Sequence, residues 1–139
     1  MRLCVVDCSF AMAWVFADEA SPIADALLQR LEHSDSIVVP AVLWALEVRN
    51  TLRSAVRRKR LTETEAEQRR LALLDLPRIT VSCPNGLGPV LDRLIRTHDL
   101  SSYDTTYLAV ALEHGLPLAT TDAALAKAAE TAGVAPYRG

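Results

Sequence analysis

The chain has 139 residues, of which 50% are hydrophobic and 23% are charged, and its formal net charge is −2. This length fits a single domain over residues 1–139, and the hydrophobic content excludes a disordered chain. The small negative net charge gives no support to nucleic-acid binding.

The cysteines, histidines and apolar segments exclude further classes. Three cysteines without a CxxC pair fit neither a disulfide framework nor a zinc site, and the three histidines lie far apart. The longest uninterrupted apolar segment, residues 10–17, is too short to span a membrane. Asp7 and Ser9 interrupt the N-terminal apolar stretch, which argues against an export signal. We therefore expect a cytoplasmic protein that makes no membrane contact.

Short apolar segments alternate with longer helical patterns along the chain. In chain order, the pattern predicts a strand at 3–6, helices at 9–16 and 23–31, a strand at 37–39, helices at 41–58 and 62–74, a strand at 79–81, helices at 90–97 and 101–113, a strand at 116–120 and a helix at 123–132. Residues 84–86 predict a turn, and 134–136 is a candidate edge strand. This order predicts an α/β/α domain with a short, mostly parallel sheet, which binds ligands beyond the carboxyl ends of its strands.

Two aspartates follow predicted strands directly. Asp7 comes after the first strand, and Asp122 comes just after the fourth. Both lie where open parallel sheets place their active sites. Each residue alone is explained equally well as the N-cap of the helix that follows it.

Glu47 lies in a helical segment whose first half is apolar on all sides, so we expect this carboxylate to be largely buried. Burying a carboxylate is costly unless it is paired or bound to a metal ion. Asn50, three residues further on, lies on the same helix face. The alternative to a functional site is a buried ion pair, for example with an arginine.

Asp104 lies in the first turn of the predicted helix 101–113. Ser101 and Asp104 have the spacing of a capping box, which by itself explains an acid at this position. Asp104 also shares its helix face with Tyr107, Leu108 and Ala111, the stripe predicted to face the core. An acid in the first turn of such a face is expected to point into a cleft.

Together these four acids predict a metal site. Four carboxylates at one end of a sheet repel one another and raise one another's pKa values, and a divalent cation relieves that conflict. Oxygen ligands without His or Cys favour Mg²⁺ or Mn²⁺ over zinc. Such an ion can activate a water molecule and stabilise charge on a phosphoryl group.

Four stretches of the sequence, in this order, resemble the PIN-domain ribonucleases, and most closely the VapC toxins of bacterial and archaeal toxin–antitoxin pairs. They are Val5-Val6-Asp7-Cys8-Ser9, Glu47 with Asn50, Leu100-Ser101-Ser102-Tyr103-Asp104-Thr105-Thr106-Tyr107-Leu108-Ala109, and Leu116-Pro117-Leu118-Ala119-Thr120-Thr121-Asp122. The resemblance implies a PIN-like three-layer α/β/α sandwich over nearly the whole chain. It also implies hydrolysis of RNA phosphodiester bonds with Mg²⁺ or Mn²⁺.

The resemblance further implies roles for individual residues and a set of partners. Asp7 and Asp104 would be the main metal ligands, and Glu47 and Asp122 would complete the pocket or act through waters. The supporting residues would be the hydroxyls of Ser9 and Thr121 and the amide of Asn50. A cognate VapB-type antitoxin, a homodimer and a toxin–antitoxin hetero-oligomer are implied as well. Cys8 stands where Thr or Ala is common in the family, and we expect it to be a small buried filler.

Charge is segregated along the chain. Residues 49–60 hold six of the 15 basic residues and no acid, so the rest of the chain, with nine basic and 17 acidic residues, has a net charge of −8. Arg49, Arg53 and Arg57 recur every four residues and form one stripe, which could bind RNA phosphates. The alternatives are a solvated helix face or pairing with Glu63, Glu65 and Glu67.

Two other functions remain open from the sequence. One is an aspartate-based phosphatase or receiver domain, in which Asp7 is phosphorylated. Ser9 occupies the position where dehalogenase-like phosphatases have a second aspartate, and neither lysine, Lys59 or Lys127, follows a strand. The other is a PIN-like binding module without nuclease activity, which would have no need of four acids.

Overall fold

The computed structural model describes residues 1–82 and 88–139, so the turn predicted at residues 84–86 lies outside the described residues. The strands are β1 (Leu3–Val6), β2 (Ser36–Pro40), β3 (Arg78–Val81) and β4 (Leu118–Ala119). The helices are α1 (Cys8–Ala11), α2 (Pro22–Leu31), α3 (Leu43–Arg57), α4 (Glu63–Leu74), α5 (Pro89–His98), α6 (Ser102–His114) and α7 (Ala123–Thr131). Short 3₁₀ turns at Met12–Trp14 and Ala17–Glu19 connect α1 to α2.

The four strands form one sheet in the order β3-β2-β1-β4, and every pair is parallel. Each parallel connection needs a crossover, and helices supply these crossovers. Val5 of β1 lies opposite Val38 of β2 on one side and Leu118 of β4 on the other. All carboxyl ends therefore meet at one edge of the sheet, where Asp7 and Asp122 follow β1 and β4.

Two hydrophobic cores cover the two faces of the sheet, which confirms the predicted α/β/α architecture. Successive strand residues point to opposite faces, so Cys4 and Val6 join one core and Val5 joins the other. The first core packs the sheet against α1, α2, α3 and α4, and the second packs it against α6 and α7. The centre of α6, residues 105–111, is buried throughout.

The ends of several elements differ from the prediction. The first helix begins after Asp7, whose side chain caps it, and it changes to a 3₁₀ turn at Met12 instead of continuing to Phe16. The fourth strand has only two residues, and residues 134–136 contribute one isolated bridge, between Leu118 and Pro136. In the described parts of the chain, no helix has the length and hydrophobicity of a membrane span.

The first half of α3 was expected to be buried on all sides, but it is buried on only one side. Trp44 and Val48 are buried, but Val42 is 71% exposed and Leu46 is 57% exposed. Val42 has φ 67° and ψ −54° in a tight turn in which the N–H of Leu43 donates to the carbonyl of Ala41 at 2.7 Å. This backbone conformation is strained for a β-branched residue. It lies at the carboxyl end of β2, close to the predicted site.

Helices α4 and α6 begin with related but different caps. At Thr62 and Glu65 both bonds of a capping box are present. At Ser101 only the first bond is formed: the hydroxyl accepts from the N–H of Asp104 at 3.0 Å. Ser101 therefore fixes the start of α6 without using the Asp104 carboxylate as the reciprocal acceptor.

We predict that Ser101→Ala lowers the free energy of unfolding by about 1 kcal/mol, because the first turn of α6 loses its N-cap. Ser102→Ala is the matched control, since its exposed side chain lies one residue inside the same helix. Urea denaturation followed by circular dichroism measures both variants. Equal stability of the two variants would contradict the capping role of Ser101.

Candidate active site

Four carboxylates from separate parts of the chain lie near one another at the carboxyl edge of the sheet. Asp7 follows β1, Glu47 lies on α3, Asp104 lies in the first turn of α6, and Asp122 precedes α7. The N–H of Asp7 donates to the carbonyl of Ala119 at 3.1 Å, which joins the ends of β1 and β4. The sheet therefore brings together residues that are far apart in sequence.

The Asp7 carboxylate is 4% exposed and is held by hydrogen bonds on both oxygens. Its Oδ1 accepts from the N–H of Phe10 at 2.9 Å, and the Ser9 hydroxyl lies 2.7 Å from Oδ1 and 2.9 Å from Oδ2. Oδ2 also accepts from the Thr120 hydroxyl at 2.5 Å. Asp7 is thus both the N-cap of α1 and a fixed carboxylate at the sheet edge.

Thr120 is a site residue that the sequence prediction missed. Besides donating to Asp7, its hydroxyl accepts from the N–H of Asp122 at 3.0 Å and lies 3.2 Å from the Ser9 hydroxyl. Thr121, which was expected to support the site through its hydroxyl, is exposed and instead donates its backbone N–H to Ser9 at 3.1 Å. The predicted strand 116–120 includes Thr120 and therefore pointed to Thr121, whereas the observed strand ends at Ala119 and makes Thr120 the first residue after it.

Glu47 is half-buried and is held from across the site by Tyr107. The Tyr107 hydroxyl, whose residue is 1% exposed, donates to Glu47 Oε1 at 2.5 Å. The ion pair with an arginine that was the alternative explanation is not formed among the described residues. Tyr107 is thus a positioning residue that connects α6 to α3.

The carboxylates disfavour one another's ionisation. Burial is the main cause that raises the pKa of Asp7, and the nearby charge of Asp104 adds to it, against hydrogen bonds from Thr120, Phe10 and Ser9 that lower it. Burial also raises the pKa of Glu47, and the charges of Asp104 and Asp7 raise it further, while the Tyr107 hydrogen bond opposes them. The site therefore concentrates negative charge, which hydrogen bonds offset only in part.

Asp104 and Asp122 form the more open side of the site. Burial and then the charge of Asp122 raise the pKa of Asp104, partly offset by the Ser101 hydroxyl. Asp122 Oδ1 accepts from the N–H of Leu125 at 2.9 Å, so Asp122 also caps α7. The capping explanation for Asp7 and Asp122 is therefore correct, and it is compatible with their place in the cluster.

Two further predicted residues have different surroundings. Cys8 is 7% exposed, its Sγ lies 3.4 Å from Thr51 Oγ1, and burial raises the pKa of its thiol to about 11. These properties agree with the expected role of a buried filler. Asn50 is exposed, and no hydrogen bond joins it to the four carboxylates within the described residues. Thr51, one turn beyond Glu47 on α3, is the residue that contacts Cys8.

The arginine stripe lies beside α4. Arg53 is exposed and forms an ion pair with Glu63 at 3.3 Å, which was one of the alternatives for the stripe. Arg49 contributes to the lowered pKa of Glu67, whose main partner is Arg70. Arg57 is exposed and has no ion pair among the described residues. Two members of the stripe therefore interact with α4, and Arg57 is the one left available to a phosphate.

The sequence matches the PIN domain family model over residues 4–131. Because the match covers most of the chain, the chain belongs to the PIN domain family, as the resemblance predicted. PIN domains are generally nucleases, and they typically use divalent metal ions. No curated protein sequence matches the chain.

Solved structures share the fold at low sequence identity. PAE2754 from Pyrobaculum aerophilum superposes with a TM-score of 0.68 at 24% identity, over 92% of this chain and 79% of that chain. VapBC2 from Rickettsia felis, solved with a DNA fragment from its promoter, gives 0.62 at 9% identity over 98% of each chain. FitAcB from Neisseria gonorrhoeae gives 0.59 at 16% identity over 99% of this chain and 97% of that chain. This fold similarity agrees with the family assignment.

The chemistry of the four acids fits a divalent cation. They offer only oxygen ligands, and among the described residues none of them forms an ion pair. In residues 1–82 and 88–139, however, no three His, Cys, Asp or Glu side chains converge closely enough to form a finished metal site. Hydroxyl groups of Ser9, Thr120 and Tyr107 hold two of the acids instead. The four acids are thus neighbours whose oxygen atoms suit a divalent cation, but they do not form a complete coordination shell.

We predict that Mg²⁺ raises the melting temperature of the wild type, because a ligand that binds only the folded state stabilises it. Asp104→Asn should melt at or above the wild-type temperature in chelator, since one repelling charge is gone, and it should lose the response to Mg²⁺. Asp25→Asn, an exposed acid on α2, is the control and should keep the response. Equal Mg²⁺ responses in the wild type and Asp104→Asn would contradict this assignment.

Proposed function

We propose that this chain is the toxin of a VapC-type toxin–antitoxin pair and that it hydrolyses RNA phosphodiester bonds with Mg²⁺ or Mn²⁺. The observation that carries the proposal is the meeting of four carboxylates at one sheet edge without a basic partner among the described residues. Membership of the PIN domain family supports nuclease chemistry. The toxin branch is supported by the structural similarity to VapBC2 and FitAcB.

In this proposal, Asp7 and Asp104 are the main metal ligands, and Glu47 and Asp122 complete the pocket. When bound, Mg²⁺ or Mn²⁺ would supply an activated water and stabilise charge on the phosphate under attack. Hydrogen bonds from Ser9 and Thr120 fix the position of Asp7 and favour its charged form, which opposes the rise in its pKa that burial causes. Tyr107 does the same for Glu47 and fixes its orientation.

RNA binding would use cations outside the carboxylate cluster. Arg57 is exposed at the C-terminal end of α3, and Arg49 and Arg53 could exchange their contacts with α4 for phosphate contacts. Exposed ion pairs such as Arg53 with Glu63 contribute little stability, so this exchange has a small cost. These three residues remain our proposed phosphate contacts.

An antitoxin and a second copy of the chain are the proposed protein partners, in a cytoplasmic complex. The VapBC2 and FitAcB structures are the support for an antitoxin. A homodimer is supported by exposed apolar side chains at the starts of α3 and α6, the helices that Tyr107 and Glu47 connect. These residues are Val42, Leu46 and Tyr103. Burying large exposed apolar side chains at an interface removes them from water, which favours association.

The structural observations disfavour the two other functions. An aspartate-based phosphatase or receiver domain uses a lysine near the end of a later strand, but Lys59 follows α3 and Lys127 lies on α7. A binding module without catalysis gains nothing from a cluster in which the charge of Asp104 raises the pKa of both Asp7 and Glu47, because that repulsion destabilises the fold. A metal-dependent nuclease has a use for this negative charge, because the charge attracts the cation.

We predict that the purified chain cleaves RNA in Mg²⁺ or Mn²⁺ and is inactive in excess chelator. Asp104→Asn should lower the cleavage rate by at least about 100-fold with the fold intact, since even residues that only orient metal ligands cost 10–100-fold when changed. Gel assays of RNA fragments measure this. Asp104→Asn purified in the same way excludes a contaminating nuclease, and Asp25→Asn, a change of an exposed acid on α2, should keep the activity. Full activity of Asp104→Asn, or of the wild type in chelator, would contradict the proposal.

A further inference from the structure

A groove of about 600 Å³ adjoins the carboxylate cluster on its β4 side. It lies between the start of α2, one face of α7 and residues 134–137, and its floor is formed by Leu118 and Ala119 of β4. Thr120 and Thr121 also line it. Because the hydroxyl of Thr120 donates to Asp7, the groove and the site share a wall.

The lining of the groove is mostly apolar, with a few polar groups. Ala123, Ala126 and Ala129 recur every three residues on α7 and leave a shallow surface without large side chains. Phe10 and Tyr137, whose ring centroids are 6.4 Å apart and whose planes meet at 87°, lie on the opposite side. A volume of this size and an apolar lining are typical of sites that take a small organic group.

The groove is lined by one basic and one acidic side chain. Lys127 lines it and forms no ion pair among the described residues, so this cation is available to a phosphate. Glu130, one turn further along α7, also lines the groove and disfavours a second phosphate there. The groove thus suits a group that combines one phosphate with an uncharged, flat body.

We propose that this groove is a nucleoside-binding subsite, which holds the base and ribose next to the phosphodiester at the carboxylates, with Lys127 on an adjoining phosphate. This inference rests on the proposed function, because it takes the substrate to be RNA. Because Thr120 borders both the groove and the carboxylate cluster, an occupant of the groove can belong to the same RNA strand that lies at the carboxylates. A base stacks on apolar and aromatic surfaces regardless of its identity, and single-stranded RNA exposes its bases for such contacts.

The test compares a variant whose new side chain fills the groove with a matched variant whose new side chain lies outside the groove. Ala126→Phe places a ring in the groove, whereas Ala124→Phe places the same ring on an exposed part of α7 that does not line the groove. Both changes are made in Asp104→Asn protein, and affinity for a fluorescein-labelled single-stranded RNA is measured in chelator by anisotropy. We expect Ala126→Phe to weaken binding about tenfold relative to Ala124→Phe, the loss of one stacked base.

A second measurement uses the wild-type chain, so it does not require any variant to fold. Nucleoside 5′-monophosphates are titrated into the chain labelled at its alanine methyl groups, and ribose 5-phosphate serves as the control without a base. We expect the nucleotides, and not ribose phosphate, to shift the signals of Ala123 and Ala126. Equal RNA affinities of the two phenylalanine variants, or nucleotide shifts that avoid these methyls, would overturn the subsite and leave the groove to a protein partner.

The outcome separates this inference from the proposed function. If the wild type cleaves RNA but the groove tests fail, the subsite is wrong and the nuclease proposal stands. If nucleotides shift the groove signals but no RNA is cleaved with Mg²⁺ or Mn²⁺, the subsite stands as a nucleotide site and the nuclease proposal fails.

Discussion

The burial of Asp7 without a cationic partner among the described residues is the constraint on which the rest of the site depends. A carboxylate that is 4% exposed costs free energy unless hydrogen bonds or a cation compensate it. Here Ser9, Thr120 and the N–H of Phe10 supply the hydrogen bonds, but Asp104 adds a repelling charge. The protein thus compensates one buried charge in part and leaves the cluster as a whole with a deficit of positive charge. A divalent cation would remove that deficit, and this is the physical basis of our functional proposal.

The same hydrogen bonds also explain how a small sheet fixes the positions of the site residues. β4 has only two residues, yet Thr120 at its end joins Asp7, Ser9 and Asp122 into one network. Capping a helix and belonging to the carboxylate cluster are not competing explanations for these residues. Asp7 and Asp122 cap α1 and α7 with one oxygen, and those caps fix the direction in which each carboxylate lies. Tyr107 fixes Glu47 from the opposite layer, so both cores contribute to the geometry of the site.

Much of the fold and the placement of Asp7 and Asp122 at the sheet edge could be predicted from the sequence, because both follow from local rules. Alternating strands and helices imply a parallel sheet, whose strands end at one edge, and Asp7 and Asp122 follow such strands. What could not be predicted depends on packing between distant segments. Which of Thr120 and Thr121 binds Asp7 depends on the register between β1 and β4. The ion pair of Arg53 depends on how α3 packs against α4. The hydrogen bond between Tyr107 and Glu47 joins residues 60 positions apart. The exposure of Leu46 also depends on packing, since an apolar helix turn does not reveal which side lacks a neighbour.

The central claim is that these four carboxylates hold a divalent cation. It is tested most directly by anomalous diffraction from crystals of the chain soaked in Mn²⁺. We predict one or two strong anomalous peaks bounded by the carboxylates of Asp7 and Asp104, with Glu47 and Asp122 facing them directly or through water. Crystals that show no peak at this edge of the sheet, or a peak only at surface acids elsewhere, would contradict the claim.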